Sequence, residues 1–268
     1  MTVLVTRFAP TPSGYLHTGN VVNLVLTHWL VRTRGGRLLL RIDDFDVART
    51  REAYLTDVFR TLDWLGIAVD DGPSGPQDFL ARWSMAQQLD RFVAARDQLM
   101  ASSNDQVFVC VCSRSELGPG QRCAAGCREQ ALPLESGRSA LRISITPGAA
   151  RGLPLPPGDH VLWRRDGLPA YQLGSVVADE RLGVTTIVRG IDLLESSALQ
   201  VHLAATLPAP GFVTADLRHH GLVTSAEGTK LSKSAGAQAH PMEHTRALRD
   251  QVLAHAEKLG PSIGITRP

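Results

Sequence analysis

The chain opens on an apolar, β-branched run at residues 3–8, cut off by Pro10 and Pro12, which predicts a buried strand entering a tight turn. After Gly14, residues 21–31 are apolar almost throughout, dense enough for a buried helix that stops at Gly35-Gly36. Residues 37–42 read as a second strand. Across 51–65 the apolar positions Tyr54, Leu55, Val58, Phe59, Leu62 and Leu65 recur at helical spacing, and Gly66 closes the run. Strand, helix, strand and helix at these lengths open a βαβα unit, hence a parallel sheet.

The middle of the chain breaks this rhythm. Residues 84–100 predict another helix and 107–111 a short strand, and 118–158 is loop-rich, carrying Pro119, Pro133, Pro147, Pro154, Pro156 and Pro157. Residues 72–168 therefore read as an inserted subdomain. Parallel-sheet character returns at 185–188, a helix follows over 193–207, residues 220–225 lead into a Gly-flanked loop, and 246–259 form a closing helix. A length of 268 residues suits one large domain with an insertion, and 43% hydrophobic with 20% charged residues fits a packed core. The net charge of +2 permits contact with nucleic acid without arguing for it. No apolar stretch reaches membrane-spanning length, and the N-terminus lacks a basic segment followed by an apolar one, so a cytoplasmic protein with no membrane partner is expected.

Two clusters carry candidate chemistry. All four cysteines, Cys110, Cys112, Cys123 and Cys127, form a Cys-x-Cys pair, a ten-residue spacer and a Cys-x-x-x-Cys pair. Thiolates at this spacing suit a tetrahedral metal, zinc or an iron–sulfur cluster, and the compact loop favours a structural zinc; buried thiols or two disulfides are the alternatives. Of 28 basic residues only three are lysines, and two of them, Lys230 and Lys233, sit within Lys-Leu-Ser-Lys-Ser between Gly228 and Gly236. Lysine is a compact, mobile charge, and a flexible loop bearing two of them suits a clamp on a polyphosphate, although a solvated basic turn gives the same run. Near the N-terminus, His17, Gly19 and Asn20 fall at the predicted start of the first helix. Backbone N–H groups and the helix dipole favour phosphate there, and an imidazole can donate to it; a mere cap is the alternative role for His17.

The segment Arg7-Phe8-Ala9-Pro10-Thr11-Pro12-Ser13-Gly14-Tyr15-Leu16-His17-Thr18-Gly19-Asn20 resembles the opening of the glutamyl-tRNA synthetase catalytic domain, and the lysine loop resembles the second signature of class I synthetases. Leu40-Arg41-Ile42-Asp43-Asp44-Phe45-Asp46, Tyr171 and Val188-Arg189-Gly190-Ile191-Asp192 fall between them in the family's order, so the likeness spans residues 3–236. It implies an α/β fold: a Rossmann-like doubly wound parallel sheet over 1–71 and 169–240, an inserted connective, zinc-bearing subdomain over 72–168, and a short C-terminal helical tail over 241–268. The short stretch after the lysine loop and the zinc pattern are similar to the truncated glutamyl-Q tRNA(Asp) synthetase family, which has no anticodon-binding domain. That family attaches glutamate to queuosine in the tRNA(Asp) anticodon loop.

The resemblance further implies that Arg7 and Arg189 bind the carboxylates of glutamate, with Tyr171 adding a hydroxyl and Thr11 a contact. Asp43 stands where the family has glutamate as ammonium partner, withdrawing the carboxylate by about 1.5 Å. Cys123 stands where the family has tyrosine, a change that strengthens zinc binding. His17, Gly19, Asn20, Lys230 and Lys233 are the implied ATP contacts, with His17, Lys230 and Lys233 catalytic. Mg²⁺ accompanies ATP, zinc is structural, and a monomer acting on tRNA is expected. Another acceptor or amino acid, or a non-catalytic nucleotide- or RNA-binding relative, are the competing outcomes.

Overall fold

The computed structural model describes residues 3–46, 48–102, 106–224 and 240–268. Lys230 and Lys233 lie outside the described residues. In chain order the principal elements are β1 (Val5–Phe8), α1 (Thr18–Arg34), β2 (Arg37–Leu40), α2 (Glu52–Leu65), α3 (Leu89–Ala101), β3 (Val107–Cys110) and β4 (Ala140–Ile145). There follow β5 (Gly158–Trp163), α4 (Tyr171–Arg181), β6 (Thr186–Gly190), α5 (Leu194–Thr206), α6 (Pro210–Thr214), β7 (Asp216–His220) and α7 (Arg246–Leu259). The chain divides into two compact units, one of Met1–Gln87, Val184–Leu193 and Ala215–Pro268, the other of Gln88–Gly183 and Leu194–Thr214. No helix among the described residues is long and apolar enough to cross a membrane.

In the first unit β1 and β2 pair in parallel from Val5↔Arg37 to Phe8↔Leu40, and β6 and β7 pair in parallel from Thr186↔Asp216 to Gly190↔His220. The Thr185 N–H donates to the Val5 carbonyl at 2.9 Å, joining the entry of β6 to β1. On the other side of β2, the Leu40 N–H reaches the Asp71 carbonyl at 2.9 Å. Helix α1 is apolar around most of its girth because it is buried on most of it: Val21, Val22, Leu24, Leu26 and Leu30 have no exposed surface. With β1, β2, α2 and α7 it forms one continuous core. Gly66 ends α2 in a left-handed conformation (φ 67°), its N–H returned to the Asp63 carbonyl, as the sequence predicts.

The second unit is built on the antiparallel sheet β3–β4–β5, with a bulge between Leu141 and Arg142. At four elements, drawn from both units, the sequence pattern and the structure part company. The predicted helix over 84–100 begins instead as a 3₁₀ turn, Met85–Gln88, because Asp44 takes the Met85 N–H at 2.8 Å and ties that turn to another segment. Strand β4 lies inside the stretch expected to be loop, all six residues buried between flanking prolines. Helix α4 carries no apolar stripe to detect, since Gly174, Ser175 and Asp179 all face inward. Strand β7, Asp-Leu-Arg-His-His, holds its place through the ladder with β6 and has little apolar content of its own.

Gly36, which turns the chain from α1 into β2, combines φ 140° with a backbone so close that an added Cβ would lie 2.4 Å from the Leu4 carbonyl oxygen. Gly36→Ala is expected to lower unfolding free energy by about 2–4 kcal/mol, read by chemical denaturation.

Candidate functional site

The first signature segment is fixed by a reciprocal cap. His17, in extended conformation, precedes α1, and its Nδ1 accepts from the Gly19 N–H at 3.0 Å and the Asn20 N–H at 3.4 Å. Asn20 Oδ1 returns the bond, accepting from the His17 N–H at 3.1 Å. With Nδ1 as acceptor, the neutral ring carries its proton on Nε2, the donor that a phosphate oxygen would require. Gly19 leaves room for the ring: a Cβ there would stand 2.9 Å from His17 Cε1 and push the imidazole from its place. One residue earlier the Leu16 N–H donates to buried Asp57 Oδ2 at 2.9 Å, anchoring the turn to α2. Asp57 was not foreseen; its trace in the sequence is a carboxylate beside the apolar stripe of α2.

The ends of the parallel strands carry a buried set of charges. Arg7, Arg41, Asp43, Asp44 and Arg189 are each no more than 5% exposed. The backbone carries β1 and β2 onward side by side, Arg41 N–H to the Phe8 carbonyl and Asp43 N–H to the Pro10 carbonyl, both at 2.9 Å. Asp43 is gripped two-handed by Arg41, with Nε to Oδ1 at 2.7 Å and an Nη2 bond to Oδ2 at 2.9 Å. Asp44 accepts from the Ser84 hydroxyl at 2.6 Å and from the Met85 N–H; burial pushes its carboxyl up and these bonds hold it back. Arg189 pairs in register with His219. Burial, then the Arg189 charge, then His220 lower the His219 pKa to about 4. His220 is held between Asn23 Oδ1 at 3.2 Å and the Gly221 carbonyl at 2.8 Å, and burial lowers its pKa also.

The expected residues therefore fall into groups. His17, Gly19 and Asn20 share one cap, Arg7 and Arg189 lie on neighbouring strands, and Asp43 follows β2 beside Pro10. Thr11 is exposed in the same N-terminal turn. Tyr171 belongs to the second unit, 37% exposed at the first position of α4.

The four cysteines converge in the second unit, their sulfurs all within 4.8 Å of one another and none in a disulfide. Cys112 Sγ lies 3.6 Å from that of Cys123 and 3.7 Å from that of Cys127. A tetrahedron of sulfurs around a metal at about 2.3 Å has edges of about 3.8 Å, so the donor set fits a tetrathiolate ion. The Cys112 N–H points to Cys110 Sγ, and the Ala125 and Cys127 N–H groups point to Cys123 Sγ. Burial raises the Cys110 and Cys112 thiols; at Cys123 burial acts the same way, but those N–H donors and neighbouring thiols bring it below its ordinary value. Thiols so crowded cannot all ionise without a cation among them.

The profile of the "tRNA synthetases class I (E and Q), catalytic domain" family matches residues 3–142 and 154–263. The glutamyl-Q tRNA(Asp) synthetase of Methylococcus capsulatus is 35% identical over 244 residues, 87% of this chain and 76% of its own length. Glutamate–tRNA ligase 1 of Ruegeria pomeroyi is 33% identical over 275 residues, but the chain spans only 58% of that protein. The crystal structure of the glutamate–tRNA synthetase of Elizabethkingia anophelis shares the fold, with TM-score 0.67 and 22% identity over 88% of this chain and 53% of its own.

His219 binds a proton more readily in the unfolded chain than in the fold, so stability rises with pH between about 4 and 6.5 and is lost as pH falls through that window. Urea midpoints measured from pH 7 down to 5 should fall, and His219→Gln should flatten that slope.

Proposed function

The chain belongs to the class I tRNA synthetases of E and Q type, through their catalytic domain, and we propose that it activates glutamate with ATP and passes it to queuosine in the tRNA(Asp) anticodon loop. Ligation of an amino acid to tRNA is the activity of this family. The observation that carries the glutamate reading is the buried strand-end set, two arginines on neighbouring strands and the Asp43 carboxylate that follows β2, together with a half-buried imidazole held as a donor at a helix N-terminus. Glutamate offers two carboxylates and an ammonium, the charge pattern complementary to that set. The queuosine acceptor rests on similarity to the Methylococcus protein.

In the first step a carboxylate oxygen of glutamate attacks the α-phosphorus of ATP; the bond to pyrophosphate breaks and glutamyl-adenylate forms. Positioning and charge neutralisation carry this step, which needs no covalent enzyme intermediate. Arg7 and Arg189 hold carboxylates, Asp43 and Tyr171 complete the amino-acid contacts with Thr11, and His17 donates from Nε2 to the phosphates over Gly19 and Asn20. Lys233 and then Lys230 support the departing pyrophosphate, and Mg²⁺ arrives with ATP. In the second step an acceptor hydroxyl attacks the acyl carbon, AMP leaves, and the hydroxyl proton is lost. Residues 1–71 and 169–240 make the catalytic body, 72–168 the inserted connective region, and 241–268 a closing helix. Cys110, Cys112, Cys123 and Cys127 would hold one Zn²⁺, whose role with four protein ligands would be to organise their loop and not to perform chemistry. The protein works as a cytoplasmic monomer.

One observation favours a second reading on one point. Both oxygens of Asp43 are already engaged by Arg41, so the ammonium must share them, and a different amino acid would fit if it cannot.

Labelled glutamate incubated with total RNA should label a single acceptor from cells that make queuosine and none from cells that cannot; label retained on RNA lacking queuosine defeats the anticodon reading. Lys233→Ala should lower glutamate-dependent AMP production by about 10²-fold or more with the fold intact. Unchanged turnover in that variant removes Lys233 from the mechanism.

A further inference from the structure

The cysteine cluster is assembled from two unequal halves. Cys110 ends β3 and is paired with Ala140 of β4, so the sheet itself places Cys110 and its near neighbour Cys112. Cys123 and Cys127 sit on the stretch 113–132, which has only short 3₁₀ turns and a single bridge, Leu117↔Cys123, internal to itself. Its apolar support is slight: Leu117, Cys123 and Leu132 pack only partly buried against Phe108 and the other cysteines. Something else must set the distance between the halves.

That element is Asp159, on β5. Its carboxylate is 2% exposed, and each oxygen reaches the loop: Oδ2 accepts from the Cys123 N–H at 2.7 Å, and Oδ1 accepts from Arg128 at 3.2 Å. Among the described residues, both side-chain hydrogen bonds from this loop to the sheet end on this one carboxylate. They bracket the second half-site, one on Cys123 and the other on the residue after Cys127. Asp159 is itself immobilised, since its carbonyl accepts from Arg142 at 2.8 Å and its backbone pairs with Ser144. Arg128 is fixed a second time, its guanidinium lying over the Phe108 ring at 5.1 Å from the centroid.

A buried carboxylate is a poor device for stability alone, because well-packed apolar side chains serve a fold equally well or better. Its value lies in direction: two oxygens define two bond vectors, which fix both the position and the tilt of the loop. Asp159 takes the Cys123 N–H, while the sulfur of the same residue is met by the Ala125 and Cys127 N–H groups. Holding the one therefore aims the other.

We propose that Asp159 is the positioning residue of the metal centre, holding Cys123 and Cys127 at the spacing from Cys110 and Cys112 that a tetrahedral ion requires. The inference rests on the zinc reading of the cysteines. Outer residues that orient metal ligands are worth about 10- to 100-fold in metal affinity, and the same range is expected here.

The test is zinc release from the full-length, zinc-loaded protein to excess chromogenic chelator, with cobalt-substituted spectra and thermal unfolding alongside. Asp159→Ala should speed release by about 10- to 100-fold. Asp159→Asn should fall between it and the wild type, because the amide oxygen still accepts from Cys123 while the charge toward Arg128 is gone. Arg128→Gln, at a side chain 43% exposed, should speed release several-fold at an unchanged melting temperature. The cobalt charge-transfer and ligand-field bands should shift in Asp159→Asn, which a merely structural role would not produce. If Asp159→Ala does not fold, Asp159→Asn and Arg128→Gln decide the matter. Wild-type release rates and spectra in those two overturn the positioning role and leave the metal centre standing. A wild-type protein that retains no zinc overturns the metal reading and this inference with it.

Discussion

Charge buried at the tips of parallel strands is the constraint on which the first unit turns. Arg7, Arg41, Asp43, Asp44 and Arg189 lie where β1, β2 and β6 end, nearly out of reach of water. Leaving such groups without partners costs several kcal/mol each. The chain meets that demand locally for Asp43, through the Arg41 fork, and across 40 residues for Asp44, through Ser84 and Met85. The same bonds stop the strand ends from relaxing. What an apolar core could not provide is a fixed array of guanidinium and carboxylate groups, and that array is where we propose that a small dicarboxylic amino acid is recognised.

The backbone does comparable work at the start of α1. A helix N-terminus already presents unpaired N–H groups, and here two of them are turned onto His17 Nδ1 so that the imidazole is oriented by the helix it caps. Asp57 holds the preceding residue from the neighbouring helix. The signature sequence thus encodes a rigid turn first, and the Nε2 donor that we propose for phosphate follows from it. In the second unit the organising principle changes. With so little apolar surface around Phe108, the loop bearing Cys123 and Cys127 has polar ties to the sheet, and on our proposal a metal held by its sulfurs, where a larger domain would use a core.

How much of this was readable from the residues follows their physics. Helices α1, α2 and α7 announce themselves, because their buried faces are mostly apolar and their ends carry glycine or capping signals. The cysteine convergence was also legible, since spacing alone limits how far apart such pairs can fall. Helix α4 was not, because Ser175 and Asp179 point inward and erase the stripe on which periodicity depends. Strand β4 was hidden by its proline-rich surroundings. The Arg41–Asp43 fork lies two residues apart in sequence, yet nothing in the pattern says whether those side chains face each other or a ligand. Asp57 and Asp159 are invisible for the same reason: each acts through a backbone N–H far away in the chain, and a backbone donor leaves no letter to read.

The central proposal is that the strand-end charges select glutamate and that the first step, which involves only glutamate and ATP, proceeds before any RNA is bound. Pyrophosphate exchange into ATP, measured without tRNA and with each amino acid in turn, tests it most directly. Exchange with glutamate alone is the predicted result. Exchange with a different amino acid, or with none while Mg²⁺ and ATP are saturating, contradicts it.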